Sequence, residues 1–220
     1  MRPILAVMRM KETSEEKKER TKRARIVLRK LRALFPKTGT VLRYKNPWEL
    51  MVAVQLSAQC TDKRVNETTP ALFARYRALD DYVNADPREF ERLIYQCGFY
   101  RNKTKNILAA AKEVKEQFHG KIPKTMNEIL QLPGVARKTA NVVLGNAYGI
   151  HEGIAVDTHV KRLSLTLGLS DEMSPEKIER DLMELFPKKD WFEVTYLLIH
   201  YGRTYCPARK HADCPLGHYK

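Results

Sequence analysis

The sequence predicts an all-α fold of two helical lobes, and three observations carry that reading. Apolar residues recur at helical spacing along most of the chain, the strict apolar–polar alternation of strands is nearly absent, and Pro and Gly fall at the ends of the helical stretches. Residues 1–20 are charged and poorly patterned, with Met8 and Met10 as alternative starts, and read as a frayed or disordered basic tail. From Ala24 onward Val27, Leu28, Leu31, Leu34 and Phe35 keep helical spacing until Pro36 stops it. Trp48–Gln59 and Thr69–Tyr76 read as further helices, followed by a polar break over Asp80–Asp86. A helix near Pro87–Gln96 leads through a Gly98 turn into an amphipathic helix over Lys103–Phe118, which presents Ile107, Leu108, Ala111 and Val114 on one face and ends at Gly120 and Pro123. Thr125 with Glu128 forms a capping box that opens a short helix to Gln131, and Ser174-Pro175 opens another carrying Ile178, Leu182, Leu185 and Phe186. At the usual length of about 11 residues this amounts to about nine or ten helices. The expected division is a central bundle over residues 40–150, containing a helical hairpin at 125–148, and a second lobe that joins 21–39 to 151–220, with the functional cleft between them.

With 220 residues, 43% of them hydrophobic, the chain can fill a real core. Its formal charge of +14 calls for a polyanionic partner, and charge alone leaves nucleic acid, an anionic membrane surface and an acidic protein all open. No run of about 18 apolar residues exists, and the Pro3–Met8 stretch is too short for a signal-peptide core, so a cytoplasmic protein with no membrane partner is expected. Of the four cysteines, Cys60 and Cys97 fall in helical segments, and the set reads as reduced thiols and not as a disulfide framework.

Leu132, Pro133, Gly134, Val135 and Ala136 separate the Thr125 helix from the next, which starts at Arg137, Lys138, Thr139, Ala140 and Asn141 and runs to Tyr148. A turn this tight leaves the first amide hydrogens of the second helix unpaired and pointing outward, which suits a phosphate oxygen. The plainer alternative is an αα-hairpin with no ligand.

The string LPGVARKTANVVL, followed by IAVDTHVKRL, resembles the helix-hairpin-helix/Gly-Pro-Asp superfamily of DNA glycosylases. The resemblance continues in LSAQCTDKRVN (Leu56–Asn66), GFYRNKTKNI (Gly98–Ile107) and LIHYGRTYCPARK (Leu198–Lys210), and covers nearly everything after residue 20. It implies double-stranded DNA with damaged bases or abasic sites as partner, bound by a monomer, with hairpin contacts from Leu132, Gly134, Val135, Ala136, Arg137 and Thr139. Ala136 stands where the family often has Gly. A left-handed backbone there would cost alanine roughly 1 kcal/mol or more, so Ala136 is expected in a conformation open to it.

Breaking an N-glycosidic bond requires a nucleophile at the anomeric carbon and stabilisation of the positive charge that develops there. The resemblance implies Lys138 as that nucleophile. An amine forms a Schiff base with the opened sugar, which acidifies the neighbouring carbon and permits β-elimination of the 3′ phosphate, so lysine points to a lyase as well as a glycosylase. The amine must be uncharged to attack, which demands a lowered pKa from burial, nearby cations such as Arg137, or the helix N-terminus. Asp157 matches the carboxylate that faces this lysine, and by its position it is also the N-cap of the following helix. His159 invites an acid–base role, against which stands an ordinary packing or surface histidine.

A base inside a duplex must be extruded before it can be removed. The resemblance assigns Gln59 to the vacated gap and Phe99 to the wedge of the Gly-Phe-Tyr turn, with a core aromatic as the alternative for Phe99. Relatives commonly end in four cysteines that hold a [4Fe-4S] cluster. Only Cys206 fits the first position and Cys214 is ambiguous, so the cluster is expected to be absent and catalysis to need no cofactor. Cys206, His211, Cys214 and His218 form a compact set that could instead hold structural zinc, or the loop folds by packing alone. The rival readings are a monofunctional mismatch glycosylase, against which Lys138 speaks, and a non-catalytic hairpin module, which would need neither Lys138 nor Asp157.

Overall fold

The computed structural model describes residues 13–209 and 214–217, and all regular structure among them is helical. The order is α1 (Ser14–Leu34), α2 (Pro47–Leu56), α3 (Asp62–Arg75), α4 (Leu79–Val83), α5 (Pro87–Ile94), a 3-10 turn (Tyr95–Cys97) and α6 (Tyr100–Gln117). There follow α7 (Met126–Ile129), α8 (Arg137–Tyr148), α9 (Thr158–Thr166), α10 (Pro175–Leu185), a second 3-10 turn (Lys188–Asp190) and α11 (Trp191–Thr204).

Two hydrophobic clusters define two lobes. The larger draws on α2 to α8 and includes Leu50, Leu72, Phe90, Ile107, Ile129 and Val143. The smaller joins Val27 and Leu31 of α1 to Leu163, Leu182 and Leu197 of α9, α10 and α11. The chain crosses between the lobes twice, once between α1 and α2 and once through the non-helical run 154–156. Ile154 and Val156 bury in the smaller core while Ala155 buries in the larger, so successive side chains point to opposite lobes. Asp157 follows directly and caps α9.

The N-terminal segment corrects the expected tail. Residues 1–12 lie outside those described, but α1 starts at Ser14, ten residues before its apolar pattern does. A capping box between Thr13 and Glu16 starts it, and Lys17–Glu184 at 2.8 Å and Arg20–Asp171 at 2.6 Å tie this charged turn to the smaller lobe. Likewise α3 begins at Asp62 behind a Thr61 N-cap and runs through Pro70, and the polar stretch after Asp80 contains α4, whose first turn is held by Asp81 accepting from the Arg77 and Ala78 amides.

Glu179 of α10 fastens the lobes beside the hairpin. Its carboxylate is 6% exposed and accepts from Arg137 Nε at 2.6 Å and Asn141 Nδ2 at 2.9 Å, both on α8. Glu179→Ala should cost about 2–3 kcal/mol in a urea melt, because it strands the buried Asn141 donor and breaks the pair with Arg137, which stays partly hydrated. A loss under about 1 kcal/mol would mean that solvent replaces the clamp.

Candidate active site

The hairpin turn is shaped by Gly134, whose φ of 75° is left-handed. A Cβ there would stand 2.8 Å from Asn106 Cβ and 2.9 Å from Gln55 Oε1, so close approach as well as dihedral requires glycine. Ala136 is extended, at φ −95° and ψ 170°, a conformation that alanine adopts without strain. As N-cap of α8 it offers no side-chain acceptor, so the first-turn amides of Arg137, Lys138 and Thr139 lack the usual partner. Leu132 and Val135 are buried in the larger core, and the Val135 amide already donates to Leu132 O at 3.1 Å. Their side chains therefore do not reach the surface. Arg137 is likewise committed, to Glu179.

Lys138, the second residue of α8, lines a cleft of about 1090 Å³ together with Gln59, Asp62, Thr139, Asp157 and Arg203. Burial pushes its ammonium below the ordinary lysine value; Asp157 and Asp62 pull it back up and Arg203 pushes it down. The helix end that carries it favours the same direction, since the positive pole of α8 disfavours a cation there. Asp157 occupies the opposite lobe. One of its oxygens, Oδ1, accepts from the His159 and Val160 amides, both at 2.8 Å, and Oδ2 takes part in neither bond. The carboxylate thus caps α9 and lines the cleft at once.

His159 also borders the cleft, but its Nδ1 is buried without a hydrogen-bond partner, and a Cβ on Gly202 of α11 would come within 2.8 Å of it. That nitrogen faces the α9–α11 packing, and burial holds the imidazole below its usual value. Gln59 and Phe99 are both exposed, Phe99 at 65%, so Phe99 is no core aromatic. Both adopt left-handed backbone, with φ of 52° and 48°, which non-glycine residues hold only where the surroundings impose it.

The ion pair between Asp62 of α3 and Arg203 of α11, at 2.7 Å, spans the same cleft from lobe to lobe. Sequence reasoning missed it as a pair, although both residues fall inside the quoted LSAQCTDKRVN and LIHYGRTYCPARK strings.

The cysteines divide between the lobes: Cys60 and Cys97 pack with the larger core, Cys206 and Cys214 with the smaller, and none of the four is joined to another in a disulfide. Arg162 Nη1 lies 3.6 Å from Cys206 Sγ, and Tyr201 Oη accepts from the Leu216 amide at 3.0 Å. His211 and His218, half of the zinc set, lie outside the described residues. Among those described, no group of three or more His, Cys, Asp or Glu side chains is placed to hold a metal ion.

An all-helical chain with a glycine-pinned hairpin and a lysine facing an aspartate across a lobe boundary has the build of a base-excision repair protein. Residues 52–188 match the HhH-GPD superfamily of base excision DNA repair proteins, and the chain belongs to it. Within that class its relatives include endonucleases III. It is 50% identical to Endonuclease III of Synechocystis over 204 residues, 92% of each chain, and 43% identical to Endonuclease III of Bacillus subtilis over 89% of this chain and 90% of that one. A solved endonuclease III–DNA covalent intermediate, trapped as an estranged-adenine complex, superposes with a TM-score of 0.86 at 40% identity, covering 89% of this chain and 93% of that one. A thermostable thymine-DNA glycosylase shares the fold at a TM-score of 0.75 and 20% identity, over 90% of this chain and 94% of that one.

Proposed function

We propose that this protein is a bifunctional DNA glycosylase and abasic-site lyase, acting as a monomer on oxidised pyrimidines in double-stranded DNA. The observation that carries the reading is Lys138, a partly buried amine held below its ordinary pKa and sharing a cleft with Asp157. Lys138 Nζ attacks C1′ of an extruded nucleotide; the N-glycosidic bond breaks and the base departs with its bonding electrons and takes up a proton. Asp157 stabilises the positive sugar in passing. The attached nitrogen gives up one proton, O4′ takes one up, and the sugar ring opens to a protonated imine. Removal of a C2′ proton then expels the 3′ phosphate, and water releases the lysine. Gln59 and Phe99 enter the duplex where the nucleotide has left, and the open amides at the start of α8 meet a backbone phosphate. The support from relatives is that endonucleases III have been solved both covalently and non-covalently bound to DNA.

Borohydride trapping on duplex containing thymine glycol tests it. The expected result is base release together with a protein–DNA adduct. Base release without an adduct or strand cleavage would fit a monofunctional mismatch enzyme, and neither would leave only a DNA-binding module.

We further propose that the C-terminal loop works without an iron–sulfur cluster. Support comes from the separation of the thiols into two lobes and from the cation Arg162 beside Cys206. Untagged protein is expected to lack the visible absorption and acid-labile sulfide of a cluster; stoichiometric iron and sulfide would overturn this, and bound zinc would assign the loop to Cys206, Cys214 and the two histidines.

A further inference from the structure

Lys103 is the most buried lysine described and has no evident role in the chemistry above. It is 6% exposed, and no carboxylate pairs with it among the described residues. Its ammonium donates to Leu56 O at 2.7 Å and Cys97 O at 2.9 Å. Burial without an acidic partner is costly, and it pushes this lysine below its ordinary value. Local helix physics opposes it too, since Lys103 lies in the first turns of α6, where the macrodipole disfavours a cation. Something must compensate for this placement.

The two acceptors supply the reason. Leu56 is the last residue of α2 and Cys97 the last of the 3-10 turn, so both carbonyls are helix-end orphans with negative partial charge. Three residues after Leu56 comes Gln59, and two residues after Cys97 comes Phe99, both exposed and both on left-handed backbone, a conformation shared by exposed His119 just past the end of α6. The Lys103 amide meanwhile donates to Phe99 O at 3.0 Å, which fixes the wedge turn from its other side. One buried cation therefore grips the roots of both strained turns, although they are 40 residues apart in sequence. Strained dihedrals persist only where surrounding bonds over-determine them.

We propose that Lys103 is the positioning residue for base extrusion: it locks the Gln59 turn and the Phe99 turn into one rigid two-pronged unit that enters the duplex together. This rests on the reading of Gln59 and Phe99 as DNA probes, and the test separates the two ideas. Lys103→Met keeps the aliphatic volume and removes the donors. Base release from thymine-glycol duplex should fall about ten- to a hundredfold, the size expected for two lost charged hydrogen bonds acting on the probes. β-Elimination at an abasic site in a single strand, which needs no extrusion, should be unchanged. The fluorescence rise of 2-aminopurine paired opposite the lesion should slow with the duplex reaction, and Phe99→Ala should add little further loss in the Lys103→Met background.

Equal losses on duplex and single strand, or full additivity with Phe99→Ala, would overturn the brace. Should Lys103→Met not fold, Lys103→Gln retains one donor pair without charge and is read in the same two assays. If Gln59→Ala and Phe99→Ala themselves leave duplex turnover intact, the probe assignment fails and not the brace geometry.

Discussion

Lys138→Gln should abolish the borohydride-trapped adduct and lower strand cleavage on the order of ten-thousandfold, because glutamine can neither attack C1′ nor form an imine. An adduct that survives would place the nucleophile elsewhere. The wild-type pH profile carries the same information. Only the neutral amine attacks, so the single-turnover rate should climb with pH and level off at the depressed lysine pKa, short of the ordinary value of 10.5. A climb that continues to the ordinary value would mean that the amine is fully hydrated. The linked stability effect has a definite sign. A lysine whose folded pKa is lowered burdens the fold fully below that pKa, and the burden disappears as pH rises to the unfolded value. Lys138→Gln should therefore raise Tm at neutral pH while destroying activity.

Asp157→Asn should lower turnover about 10²- to 10⁴-fold with little change in affinity for duplex containing an uncleavable abasic analogue. Asparagine caps a helix as well as aspartate, so the bonds to the His159 and Val160 amides survive and only the charge is lost. Since Asp157 raises the Lys138 pKa, the variant's pH–rate break should also move to lower pH. Equal losses in turnover and affinity would reduce Asp157 to a structural cap.

How much of this could be read in advance follows from the range of each interaction. The hairpin is local: Pro133 and Gly134 sit within a few residues of the helices they join, and even the tolerance of Ala136 for its place follows from dihedral rules. Lys138 and Asp157 stood out by motif context, since neither is unusual as a residue type in so basic a chain. The start of α1 was hidden because its first turns are held by ion pairs to residues more than 150 positions away and not by an apolar stripe. The helix read over Thr69–Tyr76 in fact begins at Asp62 and carries Pro70 in its interior, an instance of tertiary packing overriding propensity. Arg203 with Asp62, and Glu179 with Arg137, are 141 and 42 positions apart, and no periodicity announces a partner at such a distance. Lys103 entered only as the first residue of an amphipathic helix, because its two carbonyl acceptors lie in other segments, one of them 47 positions away.

The short run Ile154, Ala155, Val156 works as a ruler. Because its side chains feed the two cores by turns, inserting or deleting a single residue there would exchange inside for outside in both at once and swing the carboxylate that follows away from its lysine. Length in this segment is thus fixed more strictly than composition, and chains of this architecture should tolerate many apolar substitutions there but no change in spacing.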